Sequence, residues 1–190
     1  WLLLVGLPRW YGQPAEATLP PASSGLAADD VRKIKVHLFY VAADGTRLVG
    51  VEQEVPFADQ ASAQARNIIE AQLAAVQPPL VSAIPAGATL RALFVTPDGA
   101  AFVDLSPEVS TAHPGGSINE LLTVYTLVQA LTANLPAVTS VQMLIDGHEV
   151  DTLAGHVDIR RALSRDDSWV SEAATGSTAA AADPTPQAPA

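Results

Sequence analysis

The dipeptide Asp-Gly occurs at residues 44–45, 98–99 and 146–147, each time between two apolar runs. Asp-Gly tolerates the positive φ values of a tight turn, so each copy is a signal for two antiparallel strands joined by a short connection. Three such signals commit much of the chain to hairpins. In "KIKVHLFYVAADGTRLVGVEQEV", Ile34, Val36, Leu38 and Tyr40 alternate with Lys33, Lys35, His37 and Phe39. A two-residue turn at Asp44-Gly45 sets Lys35 opposite Glu54, His37 opposite Glu52, Leu38 opposite Val51 and Ile34 opposite Val55. Opposite charges then meet on one face and apolar side chains on the other, which supports that register. The second hairpin is "TLRALFVTPDGAAFVDL", where Pro97 lengthens the turn by one residue. In the third, Val141, Met143 and Ile145 lead into Asp146-Gly147, and His148, Val150 and Thr152 return.

Helical patterns fall between the hairpins. "DQASAQARNIIEAQLAAVQ" aligns Ala65, Ile68, Ile69, Leu73 and Val76 on one stripe, and Pro78-Pro79 stops it. "SINELLTVYTLVQALTANLP" opens with Ser117 and Glu120, the spacing of a capping box, and Pro136 closes it. The order ββαββαββ predicts an α+β domain, with helices packed on one antiparallel sheet or two small ones. Its bounds are residues 30–163. Residues 11–29 are a Pro/Ala/Ser/Gly-rich linker. Residues 164–190 are read as a disordered low-complexity tail, with too little apolar side chain to offset its ordering entropy. Residues 1–10, "WLLLVGLPRW", read as the end of a signal peptide or membrane anchor, with Trp10-Tyr11 at the interface.

The net charge is −10 and there is no basic stripe, which argues against nucleic acid as a partner. The chain has no cysteine, so disulfides, thiol catalysis and thiolate zinc sites within it are excluded. Residues 141–163 hold two of the four histidines, four carboxylates and two arginines. That density raises a metal or catalytic site, but the spacing fails. His148-Glu149 is not followed by a histidine three residues on, and Asp146, Asp151 and Asp158 do not fit a calcium loop. Asp146 is a turn residue. His156, in "LAGHVD", reads as a histidine hydrogen-bonded within a Gly-containing turn that docks the last segment. His37 and His113 read as solvated. Asp104 reads as stabilising a turn at a strand end. Ser117 reads as a helix cap, since "GGSIN" misses the nucleophile-elbow spacing. No catalytic residue, metal or cofactor is therefore expected.

Taken in order, "VHLFYVAADGTRLVGVEQEV", "SAIPAGATLRALFVTPDGAAFVDLSPEV", "GSINELLTVYTLVQALT" and "VQMLIDGHEVDTLAGHVDIRRAL" resemble the GerMN (Germane) domain of sporulation, spore-germination and other bacterial envelope proteins. They cover essentially all of residues 31–163. Ala162 departs from the proline that the pattern favours before Leu163. The motif residues Asp146, Gly147, Gly155, His156 and Asp158 carry a structural role in this reading. The resemblance implies an extracytoplasmic domain, tethered to the cytoplasmic membrane or secreted, that binds an envelope protein or a peptidoglycan-associated partner. It implies no enzyme. A cell-wall hydrolase and a small-ligand sensor are the alternatives.

One apolar feature bears on the partner. From Leu121 to Leu135 there is no charge. The strip Asn119, Thr123 and Thr126 is small and uncharged. Either this helix is buried between the sheet and the first helix, or the strip is a surface that a partner covers.

Overall fold

The computed structural model describes residues 32–171. The first hairpin pairs β1 (Lys33–Val41) with β2 (Leu48–Pro56). Its register sets Lys35 opposite Glu54, His37 opposite Glu52, Leu38 opposite Val51 and Ile34 opposite Val55, as the alternation predicts. The turn is wider than two residues. Ala42 N–H donates to Arg47 O, and Gly45 N–H donates back to Ala42 O. The ion pairs run diagonally, Lys35 to Glu52 at 2.6 Å and Lys33 to Glu54 at 3.7 Å. Strand twist and long side chains favour the diagonal neighbour over the directly opposite one.

The second hairpin joins β3 (Leu90–Val95) to β4 (Ala100–Leu105). Thr96 N–H reaches Ala100 O across a three-residue turn, one residue longer than the minimum. Gly99 sits there at φ 89°, and a Cβ would lie 2.8 Å from Ala137 O. Only glycine fits both the backbone and the space. A register shift between Leu90 and Ala92 marks a bulge at Arg91. Bulges re-aim side chains, and Arg91 Nε lies 3.2 Å from Asp104 Oδ2.

The third expected hairpin does not form. Ile145 and His148 exchange backbone hydrogen bonds around Asp146-Gly147, with Asp146 at φ 52° and Gly147 at φ 79°. Pairing stops at that bridge, and His148, Val150 and Thr152 make no return strand. Instead β5 (Ser140–Ile145) lies parallel to β4, and Leu163–Ser164, β6, pairs antiparallel with its start. The sheet order is β3-β4-β5-β6, beside the separate β1-β2 sheet. A parallel pair requires a long crossover. Here the crossover carries a four-residue helix α2 (Glu108–Thr111), which the pattern missed, and the long helix α3 (Ser117–Thr132). The fold class is α+β with helices on sheets, but the larger sheet is mixed rather than antiparallel.

Helix α1 (Ala61–Leu73) buries Ala65, Ile68 and Ile69, and ends before Val76. Helix α3 touches α1, β1, β5 and β6, and so contacts both sheets. Leu122, Val124, Leu127, Val128 and Leu131 are buried on it. Two amide side chains hold the hairpin against these helices. Gln72 of α1 accepts from Phe39 N–H and donates to Phe39 O, both at 2.8 Å. Asn134 does the same for His37, at 2.8 and 2.7 Å. Each occupies main-chain groups on the β1 edge that faces away from β2. A bare strand edge invites pairing with other chains, and these amides close it.

The ordered domain extends past Leu163. Asp167–Trp169 forms a 3-10 turn, Val170 bridges Leu48, and Ser171 N–H donates to Leu48 O at 2.7 Å. Gln129 Nε2 donates to Asp166 O, and the Tyr125 and Trp169 rings lie 6.1 Å apart. Residues 164–171 therefore belong to the domain and not to a tail. The sequence missed this because one aromatic in a polar stretch gives no periodicity. The readings for residues 1–10, 11–29 and 172–190 fall outside the described residues. Ending the chain at Leu163 removes these contacts and is expected to cost about 3 kcal/mol, from roughly 1 kcal/mol for each hydrogen bond and for the aromatic pair. A chain ending at Ser171 keeps them. Thermal melts of the two truncations compare directly.

Candidate functional site

The polar residues singled out in the sequence separate into three groups. The first surrounds Glu120, on the first turn of α3 and fully buried. Its Oε1 accepts from Leu153 N–H and Ala154 N–H, both at 2.8 Å, and its Oε2 accepts from His156 N–H at 2.8 Å. His156 Nδ1 lies 3.2 Å from Oε2. Gly155, at φ 97°, lets the loop curl so that successive amides converge, and its N–H donates to Thr152 Oγ1. Burial pushes the Glu120 carboxyl up. The amides of Ala154, His156, Val157 and Leu153 outweigh that and hold it below the ordinary value of 4.5. The capping box is not made: the N-cap is Gly116, without a side-chain hydrogen bond, and Glu120 serves a distant loop instead. His156 does sit in a Gly-containing turn, and that turn docks on Glu120.

His113 belongs to the same neighbourhood and is half-buried, not solvated as its loop position suggested. Its Nδ1 accepts from Gly115 N–H at 3.0 Å, and its Nε2 lies 3.1 Å from Thr123 Oγ1. Burial lowers its proton affinity, Glu120 raises it and His156 lowers it; the net direction is down from 6.5.

The second group is Arg91, Asp104 and Asp146. Asp104 Oδ1 accepts from Gly147 N–H at 2.8 Å and Oδ2 from Arg91 Nε, while Arg91 also pairs with Asp146. Asp104 thus fixes the turn after β5, as expected of a carboxylate at a strand end. In the third group, exposed Asp158 accepts from Arg160 Nε at 3.0 Å, Nη2 at 2.6 Å and the Arg160 amide at 3.0 Å. The hydrogen bonds from the Arg160 side chain, then its amide, bring the Asp158 carboxyl down to about 2.

His156, Asp104 and Asp158 are each engaged with different partners, so the convergent cleft that a hydrolase requires is not built from them. No group of three or more His, Asp or Glu among the described residues is placed to hold a metal ion. A chelator is accordingly expected to leave the melting temperature unchanged, and elemental analysis of purified protein is expected to find less than one equivalent of zinc or calcium. Among the described residues no helix is long and apolar enough to cross a membrane.

The uncharged strip fares unevenly. Asn119 is exposed, and its Nδ2 donates to Gly115 O. Thr123 and Thr126 are fully buried. The expectation of an open partner surface is corrected at those two positions, because α3 is central to the fold and its small residues face neighbouring elements. Glu120, His113, Gln72 and Asn134 carry the architecture and were not singled out beforehand as a group. A single acid in an otherwise uncharged helix was the one available signal.

Fold and site together define a small α+β module whose buried acids hold backbone. A family model described as sporulation and spore germination, Germane, matches residues 37–151, more than half of the chain. The chain belongs to the Germane family. The fold is also similar to the first GerMN domain of the sporulation protein GerM from Bacillus subtilis. The TM-score is 0.54 at 21% identity, over 70% of this chain and 98% of that one. The tandem GerMN domains of the same protein match with TM-score 0.55 at 19% identity, over 70% of this chain and 47% of theirs. A Clostridium perfringens protein assigned as a lipoprotein matches with TM-score 0.52 at 20% identity, over 72% of this chain and 89% of that one. No curated protein matches the chain.

Proposed function

We propose that the chain is a non-enzymatic, extracytoplasmic module. It binds an envelope protein or a peptidoglycan-associated partner and is held at the cytoplasmic membrane by its N-terminal segment. One observation carries the non-enzymatic part. Of the two buried acids among the described residues, Glu120 is committed to backbone amides and faces the His156 ring, and Asp104 is committed to a backbone amide and Arg91. A general acid or base must be free to exchange a proton with substrate. The location draws support from the relatives, one assigned as a lipoprotein and one a sporulation protein.

The test has two arms. Purified chain incubated with isolated peptidoglycan is expected to release no soluble fragments; time-dependent release that His156→Ala abolishes would overturn the non-enzymatic reading. Cross-linking in cells, followed by membrane fractionation, is expected to recover the chain with the membrane in a larger adduct. Recovery from the cytosol as free chain would overturn the location.

A further inference from the structure

We propose that His113 is a proton-sensitive clasp. Neutral, its Nδ1 accepts from Gly115 N–H and closes the His113–Gly116 turn; protonated, it releases that turn while its Nε2–H stays on Thr123. The geometry assigns the tautomer. Nδ1 lies 3.0 Å from Gly115 N and must accept, because a backbone N–H can only donate. The neutral ring's hydrogen is therefore on Nε2, which lies 3.1 Å from Thr123 Oγ1 and donates to it. The threonine hydroxyl has one hydrogen of its own. It lies 2.7 Å from Ala83 O and 2.9 Å from Asn119 O, and donates to one of them. The ring thus makes two bonds of different kinds: Nε2–H donates to Thr123 in either charge state, whereas the bond from Gly115 N–H to Nδ1 needs an uncharged ring.

A second proton has one place to go. An imidazolium carries hydrogen on both nitrogens, so its Nδ1–H would face Gly115 N–H, donor against donor. The bond that closes the turn is then lost. The charged groups around the ring act in both directions. Glu120, on the same helix, favours the cation; His156, on the loop that wraps Glu120, disfavours it when itself charged; burial also disfavours it. The folded state binds this proton less readily than the unfolded chain does. Its contribution to stability is therefore present above the ordinary histidine value of 6.5 and is lost as pH falls from there through the lower folded value.

Release has a local consequence. Pro114, inside the turn, and Ala83 both line a groove of about 690 Å³ with Leu73–Val76 and Ser82–Thr89. No charged side chain lines that groove. They also line a smaller groove of about 220 Å³ beside Asn119 and Leu122. Letting go of Pro114 moves a wall of both. Acidification thus reshapes the uncharged groove without unfolding the sheets.

The test follows the full 190-residue chain by NMR between pH 8 and pH 5, reading the His113 ring and the exchange protection of the Gly115 amide. Amides of the β4–β5 ladder serve as the folded reference. Gly115 protection is expected to fall, by up to about tenfold per pH unit, as pH drops from 6.5 toward the lower folded value and to level off below it, with the ladder unchanged. His113→Asn supplies the control. An asparagine oxygen can accept from the amide two residues on, as in an Asx turn, and does not titrate, so Gly115 protection is expected to be independent of pH. The clasp is refuted by flat Gly115 protection across the ring's titration, by a ring that stays neutral to pH 5, or by the same fall in His113→Asn. If that variant does not fold, the wild-type comparison of ring and amide decides alone.

Discussion

Replacing Glu120 by alanine is expected to cost the domain about 3–5 kcal/mol and to undock residues 152–158. The carboxylate accepts three backbone N–H groups at 2.8 Å and faces His156 Nδ1, while itself fully buried. Hydrogen bonds to a charged group contribute roughly 1.5–3 kcal/mol each, and an amide left buried without an acceptor costs a similar amount. The contributions are not independent, because one carboxylate serves them all, so the lower multiple is the sound one. Glu120→Gln is the sharper comparison. Its oxygen can still serve Leu153 and Ala154, but its NH2 would face His156 N–H, so about half the loss is expected. Wild type should also weaken in acid. The folded carboxyl titrates below 4.5, so its contribution is complete above that pH and is lost as pH falls through the lower folded value. Denaturant melts at pH 7 and pH 3 measure both effects. The idea fails if Glu120→Ala melts like wild type at pH 7, or if the variant keeps the full acid sensitivity.

This site shows where the sequence stops being informative. Alternation plus a turn dipeptide set the β1–β2 pairing residue by residue, because a slip of one would exchange the two faces. Asp104 was legible as a turn-stabilising carboxylate, but the turn it holds lies 43 positions on, at Gly147, and that partner was not legible. Asp146-Gly147 was legible as a turn and misleading as a hairpin. A turn fixes the direction of the next few residues but not whether a strand edge is free to receive them. Here the next residues are captured by Glu120, 33 positions upstream of Leu153. Glu120 also lies three residues after Ser117, so the local rule for a capping box applied and long-range capture prevailed. The parallel β4–β5 pairing was hidden for a related reason. Buried strands such as "AFVDL" and "VQMLI" read alike in either orientation. Gln72 and Asn134 left no signal at all, since an amide on a helix reveals its role only once a strand edge lies against it.

Thr126→Lys is expected to cost roughly 3–5 kcal/mol, the scale of an uncompensated buried charge. Against a total of about 5–15 kcal/mol for a typical domain, that leaves a marginal fold or none. The site allows little escape. Thr126 is 0% exposed, as are Val124 and Leu127 close to it in sequence, on a helix that contacts both sheets. A lysine there must either leave its ammonium without a partner, shed its proton, or force α3 away from a sheet. Valine provides the opposite case. Thr126 Oγ1 finds no hydrogen-bond partner among the described residues. Thr126→Val removes that hydroxyl at nearly constant volume, and is expected to leave stability equal or up to about 1 kcal/mol higher. Urea melts of wild type and the two variants separate burial from exposure at this position. A Thr126→Lys chain within about 0.5 kcal/mol of wild type would behave as surface substitutions do, and would return the strip to the list of partner surfaces. A large loss in Thr126→Lys beside an unharmed Thr126→Val would assign Thr126 to the core, leaving Asn119 as the part of the strip that a partner can reach.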